Sequence, residues 1–131
     1  MKIYLGTDIC EINRIQEACE KYGEKFFNKV FTSSEIDYCV KSKKHMPQRF
    51  AVRFAAKEAA AKALGVGINK IGWNKGVNWK DIEVLRDSNG AVSIILFGKA
   101  KELESKEKIT NWAVSLSHSK DTATATVIGY K

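Results

Sequence analysis

Apolar and polar residues follow two rhythms along this chain, and each change of rhythm predicts an element boundary. Residues 2–12 (KIYLGTDICEI) alternate loosely and are rich in Ile, Leu and Tyr, which predicts a first strand entering a turn at Gly6-Thr7-Asp8. From Asn13 the period lengthens. Ile15, Ala18, Cys19 and Tyr22 recur at three- and four-residue steps, the pattern of an amphipathic helix, while Arg14, Glu17, Lys21 and Lys25 fall on the other face. Gly23 interrupts this helix, and Phe26-Phe27 with Val30-Phe31 supply a second short amphipathic turn.

Thr32-Ser33-Ser34-Glu35 has the form of a capping box, in which hydroxyl and carboxylate each satisfy a free N–H, so a helix starts there and runs towards Val40. Residues 41–45 form a polar link. Pro47, the only proline, suits the first turn of a helix over 47–64, where its fixed φ and missing N–H cost nothing. The later part of that helix, RFAAKEAAAKALG (53–65), consists of strong helix formers closed by Gly65. Residues 65–78, rich in Gly and Asn, predict a loop pinned by Trp73.

Strand patterns follow at 79–86 and 91–97, joined by the hairpin turn Asp87-Ser88-Asn89-Gly90. A polar helix over 98–107 precedes a second hairpin, 111–118 and 122–130, around Ser119-Lys120-Asp121. Helices and antiparallel hairpins occupy separate stretches, so the fold class is α+β, an antiparallel sheet packed with helices.

Composition narrows the picture. With 131 residues, 44% hydrophobic and 28% charged, and no Pro- or Ser-rich linker, residues 1–131 read as one domain with one core. No apolar run reaches the length of a membrane span, and the N-terminus carries an acidic residue inside its apolar stretch, unlike a signal peptide. The expected location is the cytoplasm. Cys10, Cys19 and Cys39 form no CxxC or CxxH pair and stand far from His45 and His118, which argues against zinc and for reduced, buried thiols. The net charge of +7 calls for an anionic partner: nucleic acid, an acidic protein or a phosphorylated small molecule.

Candidate chemistry begins with Glu58. On a helix turning about 100° per residue it lies about 40° from both Phe54 and Lys62, at the edge of an apolar stripe. A carboxylate there needs a compensating cation. Lys62 at i+4 supplies one locally; a metal ion supplies another. Asp8, beside Gly6 at the end of the first strand, offers a second carboxylate, and two carboxylates with a nearby lysine suit Mg²⁺, whose remaining positions go to water and substrate phosphate. Asp8 as a turn or cap residue fits equally. His118, in Ser115-Leu116-Ser117-His118-Ser119, reads as exposed and able to bind phosphate or move a proton. A small basic RNA-binding module accounts for the charge but leaves Glu58 without a role, and the aromatic-basic interleaving of an RRM is missing.

These segments together resemble one family. Residues 6–15 (GTDICEINRI) resemble a GxDIxEIxRI motif, and 53–67 (RFAAKEAAAKALGVG) resemble the signature RFAAKEAxxKAxGxG. Residues 79–84 (WKDIEV) and 115–119 (SLSHS) match later blocks in the same order. The motifs are those of bacterial holo-[acyl-carrier-protein] synthases, the short trimeric class of phosphopantetheinyl transferases, and the likeness covers nearly the whole chain.

That resemblance implies a 4'-phosphopantetheinyl transferase-like fold in a homotrimer with active sites between subunits. It also implies Mg²⁺-dependent transfer of phosphopantetheine from coenzyme A to a serine of apo-acyl carrier protein, with release of adenosine 3',5'-bisphosphate. By motif position Asp8 and Glu58 hold the metal, Glu58 accepts the serine proton, and Lys62 lies near the phosphates. Arg53, Gly65, Ser117 and His118 become further coenzyme A contacts. Arg14, Lys21, Lys25 and Lys29, with Phe26 as apolar anchor, become the docking face for the acidic carrier. Neither nucleic acid nor membrane is an implied partner. Fatty acid biosynthesis is the implied role; a transferase serving carrier domains of secondary metabolism is the neighbouring alternative. Two departures stand out: the 67–78 linker is slightly longer than the family's, and Cys10 replaces an expected Val, Ile or Thr.

Overall fold

The computed structural model describes residues 2–70 and 74–131. The chain runs β1 (Tyr4–Glu11), α1 (Ile12–Tyr22), α2 (Glu24–Val30), α3 (Ser33–Val40), α4 (Met46–Ala63), a 3₁₀ turn (Trp79–Asp81), β2 (Ile82–Arg86), β3 (Val92–Leu96), α5 (Gly98–Lys106), β4 (Asn111–His118) and β5 (Thr122–Tyr130). Three strands form an antiparallel sheet in the order β1-β5-β4, and β2-β3 form a separate hairpin. The α+β expectation holds. Both hairpins and the Thr32/Glu35 capping box form as expected. The expected contact of Trp73 lies outside the described residues.

The turn expected at Gly6-Thr7-Asp8 does not form. β1 runs straight through it, with Gly6 opposite Val127, Asp8 opposite Ala125 and Cys10 opposite Ala123 of β5. Gly6 has a different purpose: a Cβ there would lie 1.8 Å from the carbonyl oxygen of Ala59 and 2.8 Å from the amide nitrogen of Ala63. The strand and α4 therefore touch backbone to backbone. Buried alanines complete the seam, Ala55, Ala56, Ala59 and Ala60 from α4 against Ala125 and Val127 from β5. The hairpin residues Ile82, Val84, Ile94 and Leu96, with Ala100 of α5, join the same core. A second cluster gathers Ile12, Ile15 and Cys19 of α1 with Phe31, Cys39 and Phe50, and the Phe27 and Phe50 rings stack at 4.6 Å. Burial pushes the Cys19 and Cys39 thiols up to about 11 and about 12, so both act as small apolar fillers.

The strand expected from residue 79 begins only at Ile82. Lys57 is the cause. This lysine of the KEA motif is fully buried on α4 and donates to the Trp79 carbonyl (3.1 Å) and to the Ile82 carbonyl, holding the chain there in a 3₁₀ turn. Its ammonium also pairs with the buried Glu35 at 2.8 Å. Glu35 in turn accepts from the amides of Thr32 (2.8 Å) and Val84 (2.7 Å). One buried ion pair thus ties α3, α4 and β2 together. Burial lowers the Lys57 pKa from the ordinary lysine value, and Glu35 opposes that shift.

No helix among the described residues is long and apolar enough to cross a membrane. The sheet buries one face against α4; on the other, Leu5 and Ile9 of β1, with the preceding Ile3, are 61%, 67% and 59% exposed.

Two stability outcomes follow. Gly6→Ala should cost about 3 kcal/mol or more in urea unfolding, because both opposing atoms belong to backbone; a loss under about 0.5 kcal/mol would contradict the close contact. Lys57→Met should cost about 3–5 kcal/mol by leaving Glu35 charged and buried. Adding Glu35→Gln should recover part of that loss, whereas simple additivity of the two losses would show that the pair is not coupled.

Candidate active site

Alternation along β1 aims Gly6, Asp8 and Cys10 at α4. Gly6 lies against Ala59 and Ala63, and the Cys10 thiol donates to the Ala51 carbonyl at 3.5 Å, so β1 runs antiparallel to the helix. Asp8 falls between these two contacts, alongside Glu58 and Lys62. Lys62 and Asp8 lie 54 residues apart in the sequence, yet their side chains meet at 2.8 Å. The Asp8 and Glu58 side chains are only 14% and 17% exposed. Both act on the same neighbour: burial first, then Asp8 and Glu58, push the Cys10 thiol up to about 11 against the pull of Arg14.

The local Glu58–Lys62 pair does not form. Lys62 reaches across to Asp8 at 2.8 Å and donates to the Thr7 carbonyl at 3.0 Å, because β1 offers it two acceptors where Glu58 offers a single carboxylate. Glu58 pairs instead with Lys70 of the following loop at 3.5 Å. Each carboxylate therefore holds one ammonium. Two carboxylates mostly withdrawn from water are oxygen donors of the kind that suit Mg²⁺, for which the two ammonium groups would be competitors. Among the described residues no cluster of three or more His, Cys, Asp or Glu side chains occurs, so water and substrate oxygens would complete the shell. Gly65 ends α4 at φ +79° with open space where a Cβ would point, a place where a ligand can approach backbone.

A second anionic-ligand feature lies elsewhere on α4. A cavity of about 490 Å³ is lined by Arg49, Arg53, Arg86, His45 and His118, with Tyr38, Gln48 and Gly90. Arg53 is 4% exposed, and its Nη1 donates to the Arg49 carbonyl at 3.1 Å. Both guanidinium groups sit over the Tyr38 ring, at 4.4 Å and 4.5 Å from its centroid. Arg53 Nε and Gln48 Oε1 are buried with no hydrogen-bond partner among the described residues. No described carboxylate pairs with Arg49, Arg53 or Arg86. Arg53 is the one buried cation of this group, while Arg49 is half-buried and Arg86, His45 and His118 are exposed; a buried guanidinium with an unsatisfied Nε beside further cations suits an anion entering the cavity.

Arg53 and His118 thus belong together, whereas Ser117 stands exposed beside His118 on β4 and is not part of the cavity lining. The sequence reading missed Arg49, Arg86, His45 and Lys70. Arg49 alone had a local signal, standing one helical turn before Arg53.

Arg14, Lys21, Lys25 and Lys29 are exposed along α1 and α2, and Phe26 is half-buried. A smaller cavity of about 160 Å³ opens beside them, lined by Cys10, Glu11, Arg14, Ile15, Phe26 and Phe54. Phe54 stands one turn before Glu58, so this apolar recess adjoins the carboxylates.

Comparison with known proteins gives these features a family. Residues 4–127 match the model of the 4'-phosphopantetheinyl transferase superfamily. The holo-[acyl-carrier-protein] synthase of Gloeobacter violaceus is 45% identical over 123 residues, 94% of this chain and 89% of that protein. That of Ruminiclostridium cellulolyticum is 46% identical over 125 residues, 95% and 90% of the two chains. Among solved structures, the Neisseria meningitidis holo-[acyl-carrier-protein] synthase superposes with a TM-score of 0.83 at 32% identity, covering 99% of this chain and 100% of that one. The Helicobacter pylori enzyme, solved in complex with coenzyme A, gives 0.80 at 31% identity over 96% and 99%. The two buried-edge carboxylates, the signature helix that carries one of them and a full-length match on both counts lead to one conclusion: the chain belongs to the 4'-phosphopantetheinyl transferase superfamily, among the holo-[acyl-carrier-protein] synthases, and is a transferase of that kind.

Proposed function

We propose that the protein transfers 4'-phosphopantetheine from coenzyme A to a serine of apo-acyl carrier protein, in the cytoplasm and in the service of fatty acid biosynthesis. The observation that carries this reading is the Asp8–Glu58 pair, seated with Lys62 at the β1–α4 contact. Asp8 and Glu58 would hold Mg²⁺, which when bound supplies charge neutralisation at the pyrophosphate. The remaining work falls to side chains. Lys62 places an ammonium beside the transferring phosphoryl group. Glu58 takes the proton of the carrier serine as its oxygen bonds to the phosphorus that carries pantetheine. The bond from that phosphorus to the bridging oxygen breaks, and adenosine 3',5'-bisphosphate leaves with the electron pair.

Helix geometry supports a site shared between chains. Glu58 lies about 140° around α4 from Arg53 and about 180° from Arg49. The basic cavity and the carboxylates therefore face opposite ways. Coenzyme A carries its 3'-phosphate and its pyrophosphate on one ribose, too close together to wrap around a helix about 10 Å across. In our reading the carboxylates of one chain and the cavity of its neighbour bind one coenzyme A, the 3'-phosphate going to Arg49, Arg53, Arg86, His45 and His118. Ile3, Leu5 and Ile9, exposed on the outer side of β1, supply the apolar face for that neighbour, and a homotrimer closes the ring. The acidic carrier docks on Arg14, Lys21, Lys25 and Lys29, with an apolar side chain in the recess at Phe26 and Phe54, next to Glu58.

Mass spectrometry of apo-acyl carrier protein incubated with the protein, coenzyme A and Mg²⁺ should show addition of phosphopantetheine. Asp8→Ala and Glu58→Ala should each lower the rate about 100-fold or more with folding retained. Absence of transfer by a folded protein to a competent carrier would refute the function. Refolding equal amounts of Glu58→Ala and Arg86→Ala chains together should restore roughly a quarter of wild-type sites, since each shared site then draws both intact halves one time in four. No restoration in mixed oligomers would place each site within a single chain.

A further inference from the structure

Glu58 already carries a cation from outside its helix. Lys70 reaches it from a backbone that is held in place. Ile68 bridges to Val77, the Asn69 amide donates to the Val77 carbonyl at 2.7 Å, and the Asn69 side chain bonds both Asn78 (2.9 Å) and the Gly76 amide (2.8 Å). The residue just before Lys70 is thus fixed by main-chain and side-chain bonds, which keeps the base of the Lys70 side chain within reach of Glu58.

The two lysines at the carboxylates are not equivalent. Lys62 has two acceptors, at 2.8 Å and 3.0 Å, whereas Lys70 has one contact at 3.5 Å and a side chain 58% exposed. Two carboxylates and two ammonium groups sum to no net charge. A divalent cation entering this group favours departure of one ammonium, and Lys70 is the one held by the weaker contact. A released ammonium beside a metal-bound pyrophosphate has an obvious new partner.

We propose that Lys70 is a binding residue with two stations: it neutralises Glu58 while the metal is absent, and it contacts the phosphate of coenzyme A once metal and coenzyme A are bound. This rests on the reading of Asp8 and Glu58 as the metal pair. The two stations have opposite signatures. Without Lys70, the metal alone loses a competitor and binds more tightly, while coenzyme A in the presence of metal loses a cation and binds more weakly. A lysine that merely decorates the surface gives neither, and one that adds only positive field gives no dependence on its position along the loop.

The test is Mn²⁺ binding, read from the electron paramagnetic resonance of free Mn²⁺ at low salt, together with calorimetric titration of coenzyme A into Mn²⁺-loaded protein. Lys70→Met should bind Mn²⁺ about two- to five-fold more tightly, the range expected for an exposed ion pair, and coenzyme A about three- to ten-fold more weakly. Lys75→Met, on the same loop, should match wild type in both, and Lys70→Arg should restore coenzyme A affinity. Unchanged Mn²⁺ affinity in Lys70→Met, or tighter Mn²⁺ with unchanged coenzyme A affinity, overturns the two-station role. Asp8→Ala separates the underlying reading: if it leaves Mn²⁺ binding intact, the metal pair itself is wrong.

Discussion

β1 and α4 meet with no side chain between them, because Gly6 brings its backbone against the carbonyl of Ala59 and the amide of Ala63. The contact is steric and leaves no room for a methyl group. It fixes the distance between strand and helix and the rotation of the helix about its own axis. Glu58 precedes Ala59 by one residue, and Asp8 follows Gly6 on the same side of the strand. That both carboxylates lie at the β1–α4 contact is therefore a consequence of packing. From the other side, Lys57 and Glu35 lock α4 to α3 and β2, so the residues flanking Glu58 are both committed to the interior.

This arrangement divides the signature helix by function. Its alanines serve close approach, Lys57 serves the core, and Glu58 and Lys62 face β1. Arg49 and Arg53, on the opposite side, face a cavity with unpaired cationic groups. A single chain so built presents two surfaces of opposite charge, a carboxylate pair on one side of α4 and a cluster of arginines on the other; in the proposed reading the first takes a metal and the second a phosphate. The proposed transfer needs both around one coenzyme A, and the proposed association of chains through the outer face of β1 is the economical way to join them.

Much of the architecture was legible in the sequence because local rules governed it. The last hairpin shows strict alternation, and β5 buries every second residue from Ala123 to Gly129. The capping box at Thr32 needed only four residues to declare itself. Gly6-Thr7-Asp8 misled for a physical reason: its composition is that of a turn, but glycine also permits close backbone contact, and only the fold distinguishes the two uses. The local Glu58–Lys62 pair, one of two alternatives that the spacing offered, is decided in the same way. Spacing of four residues allowed the pair, while a strand 54 residues away offered Lys62 better acceptors. Arg86 and His45 reach the cavity from separate elements, so nothing in their neighbours marked them. Lys57 did leave a trace, standing seven residues, about 20° of helix rotation, from the buried Phe50. The motif resemblance singled out Asp8 and Glu58 as a pair where periodicity alone left both open.

In the proposed assembly the β1–α4 contact of one chain builds a metal pair that works with the basic cavity of another. A crystal structure with Mn²⁺ and coenzyme A tests it most directly. An anomalous peak should lie between Asp8 and Glu58 of one chain, with the 3'-phosphate of the same coenzyme A among Arg49, Arg53 and Arg86 of its neighbour. Mn²⁺ bound away from Asp8 and Glu58, or a coenzyme A whose pyrophosphate and 3'-phosphate both lie on one chain, would contradict it.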